Sequence, residues 1–256
     1  MQRGRVLGIC LAVLGVLAPG LPLMAQGESE SKPPMYVYVS EWAVPRAQWG
    51  EMAKLSVQDR ALEDKLLSDG TITAYGELVS LIHTEGQPTH ADFFWAPSEG
   101  NILKALAGFY AQPDNTSPVL AGSKHWDHFL RSTIHNYRSG KFDGAYLAGS
   151  MWKLKPGQGH AFDAIVKARI IPIFEKGLSE GTVIFYSVDS EDYHTEAPGL
   201  VDVVFAVADA AALDKVNDEF EAALGKDTEI GPALGALTER DSHRDFLDRI
   251  TRLVIK

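Results

Sequence analysis

The sequence predicts an α+β fold in which one strand-helix-strand-strand-helix-strand unit is written twice along 256 residues. Three observations carry this reading. Residues 65–85 (KLLSDGTITAYGELVSLIHTE) match residues 176–196 (KGLSEGTVIFYSVDSEDYHTE) without a gap, with nine of 21 positions identical. Within each copy the apolar spacing switches between the two of a strand and the 3.6 of a helix. Gly70 and Gly181 stand at the same place in both copies, where a helix ends and positive φ is wanted.

Residues 1–25 read as a secretory signal peptide: Arg3 and Arg5, an apolar run over 6–17, then Pro19, Gly20, Pro22 and Ala25. An uncleaved anchor is the alternative, and the prolines and glycine favour cleavage. Cys10, the single cysteine, lies in this leader, so the mature chain has neither a disulfide nor a thiol nucleophile. The bulky Ile9 before it argues against a lipidation site. Residues 26–35 form a linker, 36–140 the first repeat and 141–256 the second.

Each repeat opens on a strand, 35–42 and 145–152, the first with Tyr and Val alternating. A helix follows. In the second copy Phe162, Ile165, Val166, Ile170, Ile173 and Phe174 draw one apolar face, and Pro172 inside the run marks a kink or break. Strands at 71–82 and 182–193, then 93–96 and 203–207, lead to helices at 99–111 and 210–224. The last segments, 126–137 and 246–255, fit either a short helix or a strand. Weak alternation from Arg249 to Leu253 favours a closing strand. Outside the 21-residue block the match continues at an offset of 110: Tyr36/Tyr146, Ser40/Ser150, Trp42/Trp152, Asp92/Asp202 and Ala96/Ala206. Residues 127–130 have a looser echo in 244–247.

One such unit covers one sheet face with its helices and leaves the other bare, so two copies pack sheet to sheet. With this element order and duplication the chain resembles the dimeric α+β barrel superfamily of ferredoxin-like topology. The expected fold is therefore two ferredoxin-like βαββαβ repeats closed as an α+β barrel within one chain. The HTE echoes and the KHWD run also resemble exported bacterial proteins of unassigned activity. The superfamily holds monooxygenases, isomerases, haem-degrading enzymes, haem peroxidases and plain binding modules.

The formal charge of −10 becomes −12 without the leader, which holds two arginines and no acid. An acidic surface repels phosphate backbones and anionic lipid heads, which argues against nucleic acid as a partner. No stable membrane insertion is expected once the leader is removed, and the mature protein is expected in the periplasm or medium. With 45% apolar and 23% charged residues the chain can bury a full core. Oligomeric state is not readable.

Four sets of residues are candidates for a site. His83 and His194 each open a His-Thr-Glu tripeptide, and histidine beside a carboxylate can serve as a base or ligand. Tyr75 and Tyr186 share a strand parity with them, yet eight residues at about 3.3 Å each leave roughly 26 Å between each tyrosine and its histidine. His125, His128 and His135 in KHWDHFLRSTIH suit a metal if the segment is helical, because His125 and His128 then share a face; the second copy offers only His243 there, so a solvated or core-edge histidine cluster is favoured and no metal is expected. Trp42 and Trp152, with Tyr36, Tyr38, Trp49 and Tyr146, can line a pocket or simply fill the core.

No phosphate loop, cysteine zinc pattern, nucleophile elbow or HExxH is present, and Asn115-Thr116-Ser117 fits a glycosylation acceptor. Three functions follow. The first is an exported protein binding a small apolar or aromatic ligand between sheet and helices, with catalysis an open addition. The second is a haem protein with His83, His194 or His125 as axial ligand, although the family's Asn cannot be placed. The third is a non-catalytic structural or interaction module.

Overall fold

The computed structural model describes residues 32–112, 117–194 and 198–256. The leader with Cys10, linker residues 26–31, Asn115, Thr116, Thr195 and Glu196 lie outside these. The first half runs β1 (Met35–Ala43), α1 (Trp49–Ser68), β2 (Ala74–Ser80), β3 (His90–Ala96), α2 (Glu99–Tyr110), the short α3 (Pro118–Ala121) and β4 (Lys124–Tyr137). A two-residue strand, β5 (Gly140–Lys141), leads to the second half. That half runs β6 (Tyr146–Lys153), α4 (Gly159–Arg169), α5 (Ile171–Glu180), β7 (Val183–Tyr193), β8 (Leu200–Val207), α6 (Ala210–Leu224), α7 (Ile230–Leu237) and β9 (Arg244–Ile255).

The strands follow the order β2-β3-β1-β4-β7-β8-β6-β9, and β9 pairs back onto β2 to close an antiparallel barrel. Closure depends on the long final strand of each half. Residues 124–132 of β4 pair with β1, while 129–137 reach across to β7. In the same way the first part of β9 pairs with β6 and its remainder with β2. Eight strands leave an interior that side chains can fill, and Val37, Phe93, Trp95, Leu130, Leu147, Phe185, Ile250 and Leu253 fill it. Two further apolar layers lie outside the barrel, beneath α1–α2 and beneath α4–α6.

The local signals read from the sequence act as expected. Gly70 and Gly181 have φ of 77° and 80°, the left-handed conformation that a Cβ disfavours. Pro172 sits in the first turn of α5, directly after the break that ends α4. Ser98 and Asp209 cap α2 and α6 by accepting hydrogen bonds from the N–H groups of Asn101 (3.2 Å) and Ala212 (2.8 Å). The closing segments are strands throughout, while α3, α7 and β5 had no counterpart in the sequence reading.

Strand pairing corrects the register in two places. Tyr75 faces Phe94 and Tyr186 faces Phe205, so Asp92 corresponds to Val203, not to Asp202. Likewise Ser40 faces Asp127 and Ser150 faces Asp245, so Asp127 corresponds to Asp245, one residue beyond the echo seen in the sequence. A shift of one residue moves a side chain to the opposite face of its strand. Asp92 therefore points towards the helices and Asp202 into the barrel.

Candidate functional site

In the first half, a cavity of about 170 Å³ lies between the outer face of the sheet and helices α1–α3. Strand alternation sends Tyr38, Ser40 and Trp42 of β1 to this face, with Asp92 and Phe94 of β3 and Glu77 of β2. Helix α1 supplies Met52, Leu55, Asp59 and Glu63 at helical spacing, and α2 closes the far wall with Leu106, Phe109 and Tyr110. The walls are apolar and aromatic. The floor is acidic.

Glu77 is only 5% exposed and is held by Arg60 through two bonds of 2.6 and 2.7 Å, with a third from Thr251 Oγ1 at 3.2 Å. Glu63 is also 5% exposed, and its buried Oε2 has no hydrogen-bond partner among the described residues. Burial, followed by the charges of Asp92 and Glu77, pushes Glu63 up to about 9. Asp92 is pushed up to about 7, again by burial first and then by Glu77 and Asp59. A carboxyl kept neutral near pH 7 can donate a hydrogen bond, and once ionised it can accept a proton.

At the rim, the rings of Trp42 and His125 stack with centroids 3.7 Å apart at 14°. His125 Nε2 lies 2.8 Å from Ser40 Oγ and 2.9 Å from Asp127 Oδ1. Tyr38 donates to the same carboxylate at 2.5 Å, and burial together with that bond pushes its hydroxyl up. The second half repeats this rim. Trp152 stacks on His243 at 5.0 Å and 7°, His243 Nε2 lies 3.0 Å from Asp245, and Ser150 donates to Asp245 at 2.6 Å.

Beneath the repeated rim the halves part. The tyrosine anchors fix the correspondence: Tyr75 donates to Asp64 at 2.8 Å, and Tyr186 donates to Glu175. One residue before those acids stand Glu63 and Phe174; four residues further back from these stand Asp59 and Ile170. Glu77 pairs with Asp92 where Val188 pairs with Val203. Four carboxyls of the first half thus replace Ile170, Phe174, Val188 and Val203, all buried in the second half's outer core.

The residues singled out from the sequence divide between several places. Trp42 and His125 line the cavity, whereas Trp152 packs on Phe162. Tyr75 and Tyr186 are buried helix-to-sheet ties, with Tyr75 pushed up to about 12 chiefly by burial. Strand β2 ends at Ser80, with a register shift at Glu77/Leu78, so the shared parity of Tyr75 and His83 does not hold. His83 is exposed beyond that strand, edge-on to Trp49 at 5.2 Å. His194 is exposed with Nδ1 3.6 Å from Glu191.

The three histidines of β4 do not converge. In a strand a spacing of three puts His125 outside and His128 inside the barrel, which corrects the shared helical face. His128 sits 3.3 Å from Glu41 and 3.6 Å from Glu191, and His135 contacts Pro33 O at 3.1 Å. No group of three or more His, Cys, Asp or Glu among the described residues is placed to hold a metal.

The acidic floor was missed by the sequence reading, although the signal existed. It was a set of acids in one copy, Asp59, Glu63, Glu77 and Asp92, standing against apolar residues in the other at the offset of 111. The one-residue slip that set Asp92 against Asp202 concealed the last of them.

No family model matches the chain, and no curated protein matches it. Solved structures do. A protein from Lactobacillus acidophilus, provisionally named a monooxygenase, superposes with a TM-score of 0.62 at 11% identity, covering 88% of this chain and 97% of its own. An anthrone oxidase-like protein gives 0.55 at 12%, covering 87% and 93%. A haem-binding protein from Thermus thermophilus gives 0.51 at 13%, covering 84% and 90%. Likeness at this identity shows the fold alone: the chain has an α+β barrel fold, closed by a single polypeptide.

Proposed function

We propose that the first half of the barrel binds a small aromatic molecule in the cavity between its sheet and helices, with Glu63 and Asp92 available to exchange a proton with it. The observation that carries this is the comparison of halves. The same backbone packs Phe174, Val188 and Val203 in one copy, yet holds a cavity floored by Glu63, Glu77 and Asp92 in the other. Burying carboxyls costs stability unless they are compensated, so a ligand is the simplest reason to keep them. Neighbours named monooxygenase and anthrone oxidase-like support a small-molecule site at this fold.

Haem fits these residues poorly. The ring of His125 is covered by Trp42 and its Nε2 is already engaged, and an acidic floor repels propionates. The leader read at residues 1–25 supports a site that works after export. Mass measurement of the secreted chain's N-terminus tests that point.

The binding test follows tryptophan fluorescence and melting temperature through an aromatic ligand panel, for the native protein and for Glu63→Phe/Asp92→Val. These substitutions install the second-half residues. The native protein should respond while the folded variant does not. A silent native protein, or a variant that responds equally, overturns the proposal.

A further inference from the structure

The cavity's chemistry narrows its ligand further, and this step rests on the function just proposed. We propose that the ligand is a cation, an arylalkyl amine bound in its ammonium form, seated between the aromatic walls and the carboxyls of the floor.

The charge balance is one-sided. Asp59, Glu63, Glu77 and Asp92 all line the cavity, and no lysine or arginine does. Arg60, the nearest guanidinium, is spent on Glu77 through both of its bonds. Glu63 and Asp92 remain facing the space. An anionic ligand can only accept from a carboxyl that keeps its proton, and it meets repulsion from each one that is ionised. A neutral ligand with a hydroxyl can donate one bond to the buried Glu63 Oε2, which has no hydrogen-bond partner among the described residues, but it brings no charge. An ammonium supplies three donors and the missing charge. The walls suit the rest of such a molecule, because Trp42, Tyr38, Phe94 and Phe109 line the cavity and give an aromatic body apolar surface to lie against.

A bare metal ion is the obvious rival cation. The described carboxyls do not form a metal-holding group, and aromatic walls offer a hydrated ion nothing.

The empty protein tolerates its acidic floor by keeping protons on it, since burial first, and then the charges of Glu77 and Asp59, push both Glu63 and Asp92 up, with Asp92 adding to the push on Glu63. An ammonium reverses that preference. Binding should therefore release protons and should tighten as pH rises from 6 towards 9, while the amine itself stays charged.

The test compares three probes of one shape by calorimetry, in buffers of differing ionisation enthalpy: phenethylammonium, phenethyl alcohol and 3-phenylpropionate. The ammonium should bind at least about tenfold more tightly than the alcohol, as a desolvated ion pair implies, and should release a measurable fraction of a proton. The carboxylate should bind weakest. In Glu63→Gln, checked for an unchanged fold by its melting transition, the ammonium's advantage over the alcohol and its proton release should both shrink. An alcohol or carboxylate that binds as well as the ammonium, or binding without proton release, overturns the cation assignment and leaves the cavity a ligand site. If none of the three binds, both the assignment and the underlying function fall.

Discussion

Replacing Glu63 by glutamine should stabilise the protein, and the gain should depend on pH. Glu63 titrates near 4.5 in an exposed chain and at about 9 in the fold. An acid whose folded pKa is raised binds its proton more tightly in the native state than in the unfolded one. It therefore takes stability away progressively as pH rises from 4.5 to 9. At pH 7, about 2.5 pH units above the unfolded value, the cost is roughly 3 kcal/mol at about 1.4 kcal/mol per unit. Glutamine fills the same volume and carries no charge. Glu63→Gln should then gain on the order of 3 kcal/mol at pH 7, or roughly 6–12 °C in melting temperature for a domain of this size. At pH 4.5 the gain should nearly vanish. Urea unfolding at pH 4.5, 7 and 8.5 reads this directly. A gain equal at all three values, or a loss at pH 7, refutes the buried-acid account of the cavity floor.

Three further outcomes follow from the same geometry. Arg60→Ile should cost about 3–5 kcal/mol because it strands the buried Glu77; Arg60→Ile/Glu77→Val, the pair found as Ile171 and Val188 in the second half, should recover most of it, and a harmless single variant would contradict the pairing. Gly149→Ala should lose about 1–3 kcal/mol, since its Cβ would stand 2.9 Å from Val203 O and against the Phe246 ring; unchanged urea unfolding would argue against the β6 register. His128 is raised first by its bond to Glu41, with Asp202 and Glu191 also facing it. Its contribution is present in full below its usual 6.5 and is lost as pH rises through the folded value, so His128→Gln should cost more stability at pH 5.5 than at pH 8.5, and denaturation giving equal losses would discount the ion pair.

Much of the fold was legible because it is written in local chemistry. Gly70 and Gly181 need positive φ, Pro172 cannot continue a helix, and the apolar face from Phe162 to Phe174 has helical spacing. The duplication told which elements correspond and implied a sheet-to-sheet barrel. The site was less legible. Trp42 and His125 were singled out, and they do line the cavity, but they had been grouped with His128 and Trp152, which lie elsewhere.

What the sequence determined by itself was the repeated order of strands and helices, their caps and breaks, and the apolar mass available for a core. What the tertiary structure decided was register and facing. A single residue of slip sends Asp92 to the helices and Asp202 into the barrel, and no local pattern sets that slip, because it is fixed by hydrogen bonds to β1, β2, β6 and β7 far along the chain. Only with those pairings in place do four carboxyls from α1, β2 and β3 meet in one cavity, opposite a second half that fills the same space with Ile170, Phe174, Val188 and Val203.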